Sequence, residues 1–71
     1  MKTQDAVKYF AAGTPRHART RIANALGITP YAVHQWGEWV PELQALRLRM
    51  LTQGKLEISP DAPYADRYLI A

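Results

Sequence analysis

The chain has 71 residues, a formal net charge of +3, two histidines and no cysteine. The lack of cysteine excludes disulfides and thiolate metal sites, and two histidines are too few for a structural metal centre, so we expect no metal and no cofactor. The chain has no apolar run of about 18 residues and its start lacks the apolar core of a signal peptide. We therefore expect one cytoplasmic domain over residues 1–71 that does not contact a membrane.

The first predicted helix runs from Thr3 to Ala11. Thr3 is a candidate N-cap, and the charge of Asp5 in the first turn suits the positive end of the helix dipole. One face of this helix is apolar and comprises Ala6, Val7, Phe10 and Ala11. Gly13 then interrupts the helical pattern.

Two further helices are predicted from a repeated start signal, in which a threonine cap is followed by proline. Thr14-Pro15 begins the second helix and Gly27 ends it; Thr29-Pro30 begins the third and Gly37 ends it. The buried stripe of the second helix is predicted as Ala18, Ile22, Ala25 and Leu26. The inward face of the third is predicted as Ala32, Val33 and Trp36.

The fourth predicted helix opens with Pro41 in its first turn. Its predicted apolar stripe comprises Leu43, Leu46, Met50 and Leu51. A strand is the alternative, because Leu46, Leu48 and Met50 alternate with Arg47 and Arg49; leucine, arginine and the proline favour helix. Residues 55–58 suit a short strand or an extended strap. A last helix from about Ala62 would pair Tyr64 with Tyr68, and fraying is the alternative.

The second and third helices have the spacing of a helix-turn-helix unit over about residues 15–38. Ala23 is small enough for close approach, Gly27 permits a left-handed turn, and Val33 fills the space between the helices. The outer face of the third helix is polar, and such a helix reads base edges in the major groove of DNA. We therefore predict double-stranded DNA as the partner, with Tyr31, His34 and Gln35 contacting bases.

The predicted contacts follow from side-chain chemistry. Gln35 suits the N6 and N7 atoms of adenine, His34 a guanine acceptor or a phosphate, and Tyr31 a phosphate or a thymine methyl group. Thr29 is a helix cap whose hydroxyl can also serve a phosphate. No acidic residue lies between Asp5 and Glu38, whereas several arginines do. The candidates that this chemistry gives for contact with the DNA backbone are Arg16, Arg19 and Thr29.

The run "ALGITPYAVHQWGEWVPELQALRL" resembles the Cro-type repressors of temperate bacteriophages and prophages, with a good match over residues 18–58. The resemblance implies sequence-specific repression by a dimer on a near-palindromic operator. It also implies that Arg19 and Thr20, at the start of the preceding helix, contact phosphate. The segment "AAGTPRHART" is longer than the family's usual turn, so Arg16 and His17 have no counterpart, and His34 replaces a common serine.

The family that the chain resembles includes all-helical proteins and proteins with a C-terminal β-hairpin. We predict a small all-α domain of four to five helices, with an α+β fold carrying a hairpin over residues 44–58 as the alternative. Trp39 could cover the start of the fourth helix or face a partner subunit, since aromatic residues are enriched at interfaces. The homodimer-interface candidates are Trp39, Val40 and Leu48.

Two other functional classes compete with DNA recognition. A helical protein-interaction module of the antirepressor type, which does not bind DNA, is the alternative function, because a fold alone does not fix function. An enzyme is the class that the available residues favour least. The chain has no cysteine nucleophile, a single serine at position 59, no glycine-rich phosphate loop and scattered acids. We therefore expect no catalytic site and no small-molecule substrate.

Overall fold

The computed structural model describes residues 1–11 and 17–68. Its helices are α1 (Thr3–Ala11), α2 (Ala18–Leu26), α3 (Pro30–His34) and α4 (Glu42–Leu51), followed by a short 3-10 helix, Ala65–Arg67. The predicted all-α fold is confirmed. The strand alternative for residues 44–58 is wrong, because residues 44–51 are helical and 52–58 form no ladder. Within the described ranges, no helix is long and apolar enough to cross a membrane.

The start of α1 is fixed by the segment that precedes α4. Lys2 forms an isolated antiparallel bridge with Trp39, and the Val40 amide donates to the Met1 carbonyl at 3.0 Å. The Lys2 carbonyl then accepts from Asp5 at 3.0 Å. The predicted cap at Thr3 is wrong, because the bridge draws this residue into the helix. Its side chain is buried, and its Oγ1 atom has no hydrogen-bond partner within the described part of the chain.

Helix α2 packs against α1, α3 and α4. Its inward face comprises Ala18, Ile22, Ala23 and Leu26, all almost fully buried. Ala25 was predicted to be buried but is exposed. At 100° per residue, Ala25 lies roughly a quarter-turn from the centre of this face, so the neighbouring helices do not reach it.

Helix α4 turns a different face inward from the one predicted. Ala45 and Leu48 are fully buried, whereas Leu43 is 65% exposed, Met50 79% and Leu51 56%. The predicted stripe is therefore wrong for these three residues, whereas its fourth member, Leu46, is partly buried against the core. The Arg47 guanidinium donates to the Leu26 carbonyl at 2.8 Å. This bond and the small Ala45 side chain hold α4 close to α2.

The chain after α4 forms an extended strap over the core rather than a strand. The Thr52 hydroxyl donates to the Leu48 carbonyl at 2.7 Å and accepts from the Leu56 amide at 3.0 Å, which reverses the chain direction. The strap buries Leu56, Ile58, Ala62 and Ala65. The predicted last helix is reduced to a three-residue 3-10 turn.

Two tyrosines of this segment clamp the start of α4. The Tyr64 hydroxyl donates to the Val40 carbonyl, and the Tyr68 hydroxyl donates to the Glu42 carboxylate. The predicted pairing of Tyr64 with Tyr68 is therefore wrong, because each ring has a partner at α4. The bond from Tyr68, helped by the Arg67 guanidinium, holds the pKa of Glu42 below its ordinary value of 4.5.

Gly27→Ala is expected to lower the free energy of unfolding by about 1–2 kcal/mol, because a Cβ is unfavourable in the left-handed region. Gly27 has φ +69° and open space where a Cβ would lie, so the cost arises in the backbone alone. Gly37→Ala is the matched control, since Gly37 also faces open space and has no such φ. Urea denaturation of both variants measures the difference, and equal loss of stability would contradict the prediction.

Tyr68→Phe is expected to raise the pKa of Glu42 towards 4.5, because it removes the largest cause of the depressed value. A depressed carboxyl pKa stabilises the fold above the unfolded-state pKa and loses this effect as the pH falls through the folded-state pKa. The variant should therefore lose stability at neutral pH and converge with the parent in acid. An NMR titration of Glu42 checks the shift, with Tyr64→Phe as the control that leaves it unchanged.

Candidate nucleic-acid interface

The turn between α2 and α3 is closed by backbone hydrogen bonds around Gly27. The Ile28 amide donates to the Ala23 carbonyl at 3.0 Å, and the Gly27 amide donates to the Asn24 carbonyl at 3.4 Å. Ala23 and Val33 are both fully buried, as the predicted helix-turn-helix spacing requires. These contacts fix the direction in which α3 leaves α2.

Helix α3 is short and depends on its N-cap residue, Thr29, and on the buried side chain of Val33. The Thr29 Oγ1 atom accepts from the Ala32 amide at 3.1 Å, which confirms the predicted cap. The predicted end at Gly37 is wrong, because the helix ends at His34. The Trp36 amide donates to the Val33 carbonyl at 3.1 Å, and its half-buried ring packs against the core, so the chain leaves the helix before the glycine.

The predicted base-contacting residues lie together on the outer face of α3 and its last turn. Tyr31 is 70% exposed, and His34 and Gln35 are also exposed. Their spacing of i, i+3 and i+4 aligns them along one side of a helix. None of the three side chains makes a hydrogen bond to another residue of the described part of the chain. Their donors and acceptors are therefore available to an external partner.

The structure describes three of the four residues predicted to contact the DNA backbone. Arg19 and Thr20 are exposed on the first turn of α2, and Thr29 is exposed at the start of α3. Arg16, like the predicted start signal Thr14-Pro15, lies outside the described residues. The Thr29 oxygen accepts one internal bond, which leaves its hydroxyl proton free to donate.

Arg19 lines a shallow cleft of about 250 Å³ between the starts of α1 and α2 and the loop after α3. Lys2, Gln4 and Glu38 also line this cleft. Lys2 was not among the predicted contacts, because nothing in the sequence indicates that the chain start lies beside α2. No ion pair involving Arg19 is found in residues 1–11 and 17–68. Glu38 is the one acidic side chain among the described residues that line the cleft.

Arg21 is one of the arginines between Asp5 and Glu38, and its side chain stabilises the fold. Its guanidinium donates to the carbonyls of Phe10 at 3.1 Å and Ala11 at 3.3 Å, at the C-terminal end of α1. Arg49 and Arg67 are engaged elsewhere, in ion pairs with Glu57 and Glu42. The cations available near α3 are therefore fewer than the sequence suggests.

Two of the three residues predicted to contact a partner subunit are buried within the single chain. Val40 and Leu48 are fully buried in the single chain, so their assignment to a surface is wrong. Val40 is enclosed because it pairs with the chain start, and Leu48 because it lies on the inward face of α4. Trp39 is half-buried, with the Lys2 ammonium 5.8 Å from its ring centroid, and its contact with a partner stays a prediction.

Comparison with known proteins gives a consistent result. The sequence matches the family model described as the DNA-binding transcriptional regulator Cro over residues 2–67, a range that includes all four α-helices. The chain is similar to the regulatory protein Cro of Salmonella phage P22, with 40% identity over 62 residues, covering 87% of this chain and 92% of that protein. No solved structure matches the chain.

Thr29→Ala is expected to lower the free energy of unfolding by about 1 kcal/mol, because it removes the side-chain acceptor at the start of α3. Thr29→Ser retains the oxygen and should keep most of the stability. Thr20→Ala is the matched control, since Thr20 is exposed on α2, and it should change stability by less than about 0.5 kcal/mol. Thermal denaturation compares the three variants, and an equal loss at Thr20 and Thr29 would contradict the assigned cap.

Proposed function

Because the chain belongs to the family of Cro DNA-binding transcriptional regulators, we propose that it represses transcription by reading a near-palindromic operator with α3 in the major groove. The single observation that carries this proposal is the exposed, unpaired polar face of α3, held on a closed turn. We propose the whole chain as one DNA-binding domain with its helix-turn-helix unit over about residues 15–38. A protein-interaction module that does not bind DNA is not favoured by the family match.

The base contacts are assigned to Tyr31, His34 and Gln35. The Gln35 amide suits a bidentate pair with the N6 and N7 atoms of adenine, and a His34 N–H suits an acceptor of guanine. Tyr31 suits a thymine methyl group through its ring or a phosphate through its hydroxyl. Their common exposure supports this assignment, because a base edge requires side chains free of internal partners.

The backbone contacts are assigned to Arg16, Arg19, Thr20 and Thr29. Arg19 and Thr20 lie exposed in the first turn of α2, where the helix dipole also favours a phosphate. The sequence from Ala18 to Gly37 contains no acidic residue, so this surface attracts a polyanion. Phosphate contacts hold the orientation of α3 and do not themselves distinguish sequences.

A homodimer follows from the proposed operator. A two-fold axis through the site would place the α3 helices of two copies about 34–36 Å apart, one turn of the DNA helix. We propose that this dimer works in the cytoplasm of a bacterial or phage-infected cell, where the operator DNA is found. No cofactor is required for this mode of recognition, since the protein groups supply every contact.

Selection from a pool of randomised duplexes at near-physiological salt tests the proposal directly. We expect enrichment of a near-palindrome with half-sites about one helical turn apart. The enriched duplex then serves as the probe for variants of the interface. A folded protein that enriches no sequence would overturn the proposed repressor function.

Gln35→Ala is expected to weaken binding to the enriched duplex by roughly 1–3 kcal/mol and to abolish discrimination at one base pair of each half-site. The reason is that only the bidentate pair distinguishes adenine there. Binding to a scrambled duplex should be almost unchanged. Fluorescence anisotropy with single-base substitutions measures both effects, and an equal loss on both duplexes would assign Gln35 to the DNA backbone instead.

Arg19→Ala is expected to weaken binding to enriched and scrambled duplexes alike and to reduce the slope of log affinity against log salt by about 0.9. Arg67→Ala is the matched control, because it removes the same charge from a side chain that pairs with Glu42. The control should leave the slope unchanged. If the two variants behave identically, Arg19 contributes only general charge and the phosphate contact is wrong.

A further inference from the structure

Helix α4 carries three of the five large apolar side chains that are exposed among the described residues. We call this surface the α4 stripe and define it by Leu43, Leu46, Met50 and Leu51. Leu43, Met50 and Leu51 are each more than half exposed, and Leu46 is half-buried at their edge. Contiguous exposed apolar side chains of this size on a small domain mark an interaction site.

The charge nearest the middle of the stripe is directed away from it. Arg47 lies one turn from Leu43 and Met50, but its guanidinium donates to the Leu26 carbonyl at 2.8 Å and to the Gln44 Oε1 atom at 3.2 Å. The charged end of Arg47 is thereby bonded within the chain rather than left unpaired among the leucines. The stripe consequently has an apolar centre.

The charges at the ends of α4 are also satisfied within the chain. Glu42 bonds Arg67 and Tyr68 at one end, and Arg49 pairs with Glu57 at 2.7 Å near the other. Among the described residues, no uncommitted cation lies on the stripe itself, so it does not suit DNA. An apolar centre bordered by satisfied polar groups is the usual composition of a protein–protein interface.

We propose that the α4 stripe binds the α4 stripe of a second copy of this chain, with the two helices antiparallel. The stripe is self-complementary in that orientation, because Leu43 and Met50 lie two turns apart on either side of Leu46 and Arg47. A two-fold axis at that midpoint sets each Leu43 against the Met50 of the other copy. Antiparallel helices also bring opposite dipole ends together.

The stripe is small for a permanent dimer. It offers on the order of 400 Å² per copy, whereas a stable interface takes about 800 Å² from each partner. We infer a weak dimer in free solution that is completed when two copies occupy adjacent half-sites. This inference rests on the homodimer proposed above and assigns its surface; the Arg47 bond to Leu26 links that surface to the end of α2.

Sedimentation over a concentration series tests the inference without DNA. The parent chain should pass from its monomer mass of 8.0 kDa to twice that mass at micromolar or higher concentration. The double variant Leu43→Gln/Met50→Gln should remain monomeric with an unchanged circular dichroism spectrum, because both positions are exposed. Tyr9→Gln is the control, since Tyr9 is an exposed aromatic on α1, and it should associate like the parent.

Binding to DNA gives the second measurement, with the enriched duplex and a duplex carrying one of its half-sites as probes. The double variant should bind the full site at least about 10-fold more weakly than the parent and the half-site within about 2-fold. Equal full-site affinities would overturn the inference. Failure of the parent to bind either duplex would instead reject the proposed DNA-binding function, so the two failures are distinguishable.

A charge exchange tests the antiparallel arrangement. Leu43→Glu alone and Met50→Lys alone should each reduce association at least about 10-fold, because each sets a charge against an apolar side chain. The combination Leu43→Glu/Met50→Lys should recover association in a salt-sensitive manner, since each Glu then faces a Lys of the other copy. Failure of the combination to recover would overturn the antiparallel pairing.

Discussion

The fold depends on the left-handed turn at Gly27 and on the close approach of α3 to Ala23. The Ile28 amide reaches back to the Ala23 carbonyl, so the chain reverses within a few residues of the end of α2. A helix of five residues is too short to be stable by itself. It persists because Thr29 caps it, Pro30 restricts its first turn and Val33 anchors it in the core. The exposed face of α3 has a defined direction only while these contacts hold.

The arginines of this chain have different tasks that their sequence positions do not reveal. Arg21 and Arg47 bond the last carbonyls of α1 and α2, where a cation is also favoured by the helix dipole. Each guanidinium satisfies carbonyls that lack helical partners and links two elements of the fold. Arg19 has no such partner in the described ranges. This difference, rather than the number of cations, leaves the Arg19 guanidinium without an ion pair among the described residues.

The sequence predicts the local features of the interface well. Gly27 and the Thr29-Pro30 pair act within one turn of themselves, so their roles could be recognised without knowing the rest of the fold. The spacing of Ala23 and Val33 extended this reasoning to one helix–helix contact. The expected grouping of Tyr31, His34 and Gln35 followed, because a helical face is a local property.

The incorrect predictions concern residues whose environment is set by segments far away in the sequence. Thr3 has the side chain of a cap, but the pairing of Lys2 with Trp39 makes Thr3 the first residue of the helix instead of the residue before it. Val40 was predicted to lie at a dimer interface, and the pairing of the chain start with this segment buries it. Periodicity indicates which residues share a face and not which face is turned inward. That limit explains why three of the α4 residues were assigned to the wrong side.

The orientation of α4 has a physical reason that connects the core with the assembly. A small domain has a thin core, and α4 can lie close to α2 only if the residue between them is small. Ala45 meets that condition and leaves Leu48 to fill the space beyond it, both without exposure. If the larger leucine face were turned inward, α4 would be held further from α2 and Arg47 would be carried away from the Leu26 carbonyl. The packing that secures the helix-turn-helix unit thus also leaves the apolar α4 stripe at the surface, where we propose that a second copy binds.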